Sequence, residues 1–125
     1  MTNQAEHRDA ARIATEAGRL LLEIRGKLAD PACDLKALKD EGDRLSNLLI
    51  LEELAGAYPH DPVLSEESKD SADRLKSRRT WIVDPLDGTR EFGEAGRSDW
   101  AVHVALAVAG WPVVAAVALP GRDLT

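Results

Sequence analysis

Trp81-Ile82-Val83-Asp84-Pro85-Leu86-Asp87-Gly88-Thr89 is the most informative stretch of this 125-residue chain. Trp81-Ile82-Val83 is a short β-prone run. It delivers two carboxylates, Asp84 and Asp87, at its carboxyl end. Pro85 stiffens the turn between them by fixing φ. Such a turn can aim Asp84, Asp87 and the Leu86 carbonyl at a common point, an oxygen set that suits a hard divalent cation. Gly88 lets the backbone approach a ligand closely. Thr89 adds a hydroxyl, and its N–H can face a phosphate if a helix starts there. On spacing alone, a solvent-facing turn with no ligand is the leading reading, and the cation site is only suggested. Upstream, Leu64-Ser65-Glu66-Glu67-Ser68 offers a second carboxylate pair, either member of which can complete a metal site.

Working outward, the strand is flanked by helical patterns. Residues 3–29 read as a helix, with Asn3 and Glu6 forming a start like a capping box. Ile13, Ala17, Leu20, Leu21, Ile24 and Leu28 give an apolar stripe of helical period, and Glu23 and Lys27 are spaced for an i,i+4 pair. Asp30-Pro31 ends the helix. Residues 34–40 read as a charged connector. A second, mostly buried helix is expected over 41–57, with Leu48, Leu51, Ala55 and Tyr58 on one stripe and Leu45, Leu49 and Leu54 widening it. Val63-Leu64 begins a short strand, and Lys69 to Arg79 reads as a solvated loop. Val102, Val104, Leu106 and Val108 share one face of a later strand, and Val113, Ala115, Val117 and Leu119 one face of the next. Gly110-Trp111 joins the two as a tight hairpin. These elements predict an α+β fold, two helices packed on one side of an incomplete, mainly antiparallel sheet.

Composition narrows the function classes. Lys and Arg number 16 against 22 Asp and Glu, a formal net charge of −6. With no basic face to offset that total, a nucleic-acid polymer is not an expected partner. An anionic substrate therefore needs a bound cation or backbone N–H groups. Cys33 is the only cysteine, so no internal disulfide is possible. The apolar run Ala101 to Leu119 contains His103 and is broken by Gly110-Trp111-Pro112. It reads as two strands rather than a membrane span. A cytoplasmic location is expected.

The combination Ser-Glu-Glu-Ser (65–68), then Trp-Ile-Val-Asp-Pro-Leu-Asp-Gly-Thr-Arg-Glu-Phe (81–92), then an apolar strand resembles the inositol monophosphatase superfamily. Arg90-Glu91-Phe92 and Asp99-Trp100-Ala101-Val102-His103-Val104-Ala105-Leu106 are similar to its bisphosphate nucleotidase branch. The resemblance implies an Mg²⁺-dependent phosphomonoesterase acting on a small-molecule phosphate ester such as adenosine 3′,5′-bisphosphate. Inositol monophosphate and fructose 1,6-bisphosphate are the alternatives within the superfamily, and a non-catalytic fragment is the alternative outside it. It also implies the amino-terminal half of the superfamily's α/β sandwich.

Carried over by position, Glu66 and Asp84 match metal ligands, Leu86 gives its carbonyl, and Asp87 holds a second ion. Gly88 and Thr89 match the amides that cradle phosphate, with Asp87 beside them. Asp43 matches an acid at the start of the second helix that pairs with the threonine at 89 and helps activate water, although Gly42-Asp43-Arg44 departs from the commoner Thr-x-Ala-Asp pattern. His103 and the three tryptophans are expected to be structural, and Arg90 or Arg97 to form surface pairs or to meet a second phosphate. Superfamily members are about twice this length. The chain is therefore expected to be a partial amino-terminal metal-binding domain (1–125), without the second domain that supplies a further aspartate. Its last strand is expected to present an apolar edge.

Overall fold

The computed structural model describes residues 3–66 and 77–125. Helix α1 (Gln4–Arg25) runs into a 3-10 turn (Gly26–Ala29), and helix α2 (Leu35–Ala57) follows. Then come β1 (Val63–Ser65), β2 (Arg79–Asp87), the single turn α3 (Thr89–Phe92), and the hairpin β3 (Ala101–Val108) and β4 (Trp111–Ala118). The described strands form one sheet in the order β1-β2-β3-β4. β1 pairs parallel with β2, and the other pairings are antiparallel. The fold is α+β, as the element pattern implies, with α1 against β3 and β4 and α2 against β2 and α1.

α1 buries Ala10, Ile13, Ala14, Ala17, Gly18, Leu21 and Ile24, a stripe at i, i+3, i+4 and i+7. The small members let the helix sit close to the chain beyond β4. A Cβ placed on Gly18 would fall 2.6 Å from the Pro120 ring. Two local expectations change. Asn3 makes no side-chain cap; its carbonyl takes the His7 N–H instead. Lys27 pairs with Glu41 of α2 at 2.7 Å rather than with Glu23, because the backbone tightens into the 3-10 turn at Gly26.

α2 starts six residues earlier than the sequence suggests. The charged segment 34–40 is helical: Asp34 caps it by accepting the Ala37 N–H, Lys36 and Asp40 pair on the wet face, and Leu38 is buried. The buried stripe is Leu38, Gly42, Ser46, Ile50 and Leu54, spaced by four, with Asn47 beside it. The stripe expected from the leucines is out of phase. Leu48 is 44% exposed and Ala55 is exposed, because three positions on the inner face are glycine, serine and asparagine.

In the hairpin, Val102, Val104 and Leu106 of β3 face the helices with Val114, Ala116 and Ala118 of β4. The face with Val113, Ala115 and Val117 is therefore the outer one. A register shift between Leu106 and Ala107 accompanies this phase. The turn is Ala109-Gly110, both at positive φ, as a two-residue turn of the right twist requires. Trp111 opens β4 and is 73% exposed, whereas Trp81 and Trp100 are fully buried. Of the three tryptophans, Trp81 and Trp100 thus belong to the core and Trp111 stands at a strand end. β4 lies at one end of the strand order with Trp111 and Val117 exposed. No described helix is long and apolar enough to cross a membrane. Most of the expected loop 69–79 lies outside the described residues. Its last residue, Arg79, belongs to β2.

Candidate functional site

β2 is regular from Arg79 to Asp84, where Asp84 stands opposite His103 of β3. The next pairing is Asp87 with Ala101. Three steps along β2 thus match two along β3, so one extra residue is inserted at Pro85-Leu86. Proline has no N–H to give to the ladder, which makes this the natural place for a bulge. The consequence is chemical. In an unbroken strand residues 84 and 87 would point to opposite faces. The bulge returns both carboxylates to the face that carries His103.

The third acid arrives from the parallel neighbour. β1 is in register with β2 through Ser65 and Val83, so Glu66 follows one residue later, level with Asp84. Glu66, Asp84 and His103 line a cleft of about 380 Å³ with Ser65, Ile82 and Ala105. Glu67 lies outside the described residues.

The electrostatics of this cluster are unbalanced. Asp84 is held above the usual aspartate range, first by its burial, then by the charges of Glu66 and Asp87. The Leu86 N–H, which donates to Asp84 Oδ1 at 3.3 Å, and the neighbouring His103 oppose the shift without cancelling it. Asp87 Oδ2 lies 2.9 Å from His103 Nε2. An ionised carboxylate only accepts, so the ring proton is assigned to Nε2. His103, expected to be structural, is therefore part of the acidic cluster. Its alternation with Ala101 and Ala105, on the face opposite Val102 and Val104, was the available signal.

Gly88 turns the chain from β2 into α3 at φ +85°. A Cβ there would meet Asp99 O at 3.2 Å and Trp100 Cα at 3.3 Å, so both the conformation and the space call for glycine. The first helical bond is Phe92 N–H to Gly88 O, which leaves the Thr89 N–H without a partner inside the turn. Thr89 Oγ1 donates to the Leu86 carbonyl at 3.4 Å. Arg25 fixes the far end of α3 by donating to the carbonyls of Phe92 and Glu94 while lying over the Trp100 ring. Trp100 is thereby enclosed and unable to stack on a ligand.

Asp43 is the ninth residue of α2, so it does not occupy a helix start, and the helix dipole gives it no special role. Its neighbour Gly42 lies against Phe92, which brings α2 alongside α3 at this level. Arg90 pairs with Glu94, and Arg97 is held by both Asp99 and Glu94. Both arginines occupy surface ion pairs.

Glu66, Asp84, Asp87, Gly88 and Thr89 thus gather at the carboxyl end of β2, with Asp43 on the adjoining helix. Among the described residues no three His, Cys, Asp or Glu side chains converge closely enough to hold an ion as they stand. The donor chemistry nonetheless fits a hard cation: carboxylates and a carbonyl, with a net negative charge that no lysine or arginine of the cleft lining offsets.

A model of the inositol monophosphatase family matches residues 5–124. The chain is 56% identical over 106 residues to a 3′-phosphoadenosine 5′-phosphate phosphatase of Mycobacterium leprae, covering 82% of this chain and 38% of that one. A protein of the same name from Mycobacterium bovis is 50% identical over 112 residues, covering 86% and 41%. Among solved structures, CysQ from Bacteroides thetaiotaomicron, a bacterial member of the inositol monophosphatase family, superposes with a TM-score of 0.79 at 32% identity, covering 94% of this chain and 43% of that one. The chain spans about two fifths of the length of the curated relatives it matches.

Proposed function

The chain belongs to the inositol monophosphatase family, and on that premise we propose that it carries the metal-binding part of an Mg²⁺-dependent phosphomonoesterase. The proposed substrate is adenosine 3′,5′-bisphosphate, which loses its 3′-phosphate. The observation that carries the reading is the unneutralised acid cluster at the end of β2. Asp84 is held above its ordinary range by burial and by Glu66 and Asp87, which is the condition a divalent cation relieves. The substrate class is supported by the names of the two mycobacterial relatives.

In this reading Glu66, Asp84, the Leu86 carbonyl and Asp87 would hold Mg²⁺. The ion supplies Lewis acidity toward phosphate and activation of water. The protein's own residues then have distinct tasks. His103 holds Asp87 by its Nε2–H and keeps that carboxylate oriented. Gly88 allows the chain to turn so that the amides of Gly88 and Thr89 meet phosphate oxygens, with Asp87 beside them. Asp43 and Thr89 orient the attacking water. A cytoplasmic setting fits a chain with one free, half-buried cysteine.

The test measures phosphate release from adenosine 3′,5′-bisphosphate, inositol 1-phosphate and fructose 1,6-bisphosphate. It uses this chain alone and this chain joined to the remaining part of the Mycobacterium leprae relative, with and without Mg²⁺. The joined protein should release phosphate from the adenosine compound in an Mg²⁺-dependent way, and Asp84→Asn and Asp87→Asn should abolish the release. Preference for inositol 1-phosphate would overturn the substrate. Release unaffected by either asparagine would overturn the ligand set.

A further inference from the structure

Two consecutive polar residues interrupt the buried face of α2. Ser46 is fully buried and Asn47 is 7% exposed, on a face otherwise built from Leu38, Ile50 and Leu54. A buried hydroxyl or amide is destabilising unless it is hydrogen-bonded, so its partners say why it is there. Ser46 Oγ donates to the Pro85 carbonyl at 2.7 Å. Asn47 Oδ1 accepts from Ser65 Oγ at 2.6 Å, and Ser65 is itself buried. Pro85 directly follows Asp84, and Ser65 directly precedes Glu66. Neighbouring residues on a helix point about 100° apart, so the two bonds diverge onto β2 and β1.

We propose that Ser46 and Asn47 are positioning residues that fix the separation of Glu66 from the Asp84-Pro85-Leu86-Asp87 turn. The inference rests on the reading of these acids as Mg²⁺ ligands. Neither residue touches the ion. Each ties one acid-bearing strand end to a single rigid turn of α2. Glu66 and Asp84 repel each other in the metal-free chain, and β1, only three residues long, has little ladder of its own to resist that repulsion. The two bonds to α2 supply the resistance.

Backbone amide exchange and calorimetric Mn²⁺ titration on this chain test the assignment. Ser46→Ala should speed exchange about tenfold at Leu86 and Asp87 and leave Leu64 to Glu66 unchanged. Asn47→Ala should do the reverse. Each should weaken Mn²⁺ binding by about tenfold, the low end of what loss of a ligand-supporting partner costs, and Ser46→Thr should restore it. Equal acceleration of both segments by either variant would mean general loosening and would overturn the inference. So would Mn²⁺ affinity within about twofold of the parent in both variants. Failure of the parent chain to bind Mn²⁺ saturably would overturn the ligand reading itself, a result distinct from both. Should an alanine variant not fold, Ser46→Cys and Ser65→Ala make the same comparison with the same expected signs.

Discussion

The two ends of β2 gather acids in opposite ways. At the Arg79 end, Glu6, Asp9 and Asp61 are drawn in from α1 and from the chain that follows α2, and each has a partner. Arg79 pairs with Asp61 and Glu6, Trp81 Nε1–H donates to Asp61 at 3.1 Å, and Tyr58 donates to Asp9. The Arg79 guanidinium also lies over the Tyr58 ring. At the Asp84 end, Glu66, Asp84 and Asp87 share one histidine, and Asp84 is pushed upward. The same strand thus carries a cluster in which each acid is paired or hydrogen-bonded and a cluster whose charges are left to repel one another. Only the second is arranged to gain from an added cation.

The largest effect that would sharpen this contrast comes from Arg79→Met. It leaves two largely buried carboxylates without their cation and should cost about 2–3 kcal/mol in urea unfolding, with Mn²⁺ affinity of the folded fraction unchanged. A loss under about 0.5 kcal/mol would show that the first cluster is not a stabilising one. Gly88→Ala comes next. Forcing a side chain to φ +85° against Asp99 and Trp100 should cost about 1–2 kcal/mol and should also weaken Mn²⁺ binding, because the strain falls on the Asp87 turn. Tyr58→Phe is smaller. It keeps the ring beside Trp81 but removes the one hydrogen bond to Asp9, worth about 1 kcal/mol in the same unfolding measurement and nothing in Mn²⁺ titration.

The difference between the two ends also explains what the sequence disclosed. Asp84-Pro85-Leu86-Asp87-Gly88 is legible because its chemistry is local: proline sets the bulge, glycine the turn, and the acids lie within a few residues. The hairpin and α1 are legible because alternation and helical period are local too. The phase of α2 was hidden because Gly42, Ser46 and Asn47 are inner residues whose partners, Phe92, Pro85 and Ser65, lie far along the chain. Leucines mark a stripe only when the inner face is apolar. Arg79 read as part of a solvated loop for the same reason: its carboxylate partners come from α1 and from the turn after α2. His103 shares its strand face with alanines, and its link to Asp87 depends on a bulge whose register no single segment reveals.

Asp84→Asn carries the smallest expected effect on stability and the most telling sign. The pKa of Asp84 is raised in the folded chain. Its favourable contribution is therefore fully present below the unfolded-state value, near pH 4, and is lost as pH rises through the folded-state value. At pH 7.5 the ionised group opposes folding of the metal-free chain. Asparagine keeps the oxygen that accepts the Leu86 N–H and removes the charge. The variant should melt about 1–3 °C above the parent at pH 7.5, a modest gain because Asp84 is partly solvated. The margin should shrink toward zero as pH falls to about 4 and narrow in high salt. Saturating Mg²⁺ should reverse the order, raising the parent's melting temperature by linkage and leaving the variant's where it was. A destabilised variant in metal-free buffer would place Asp84 with the paired acids of the Arg79 end, and the contrast between the two ends would disappear.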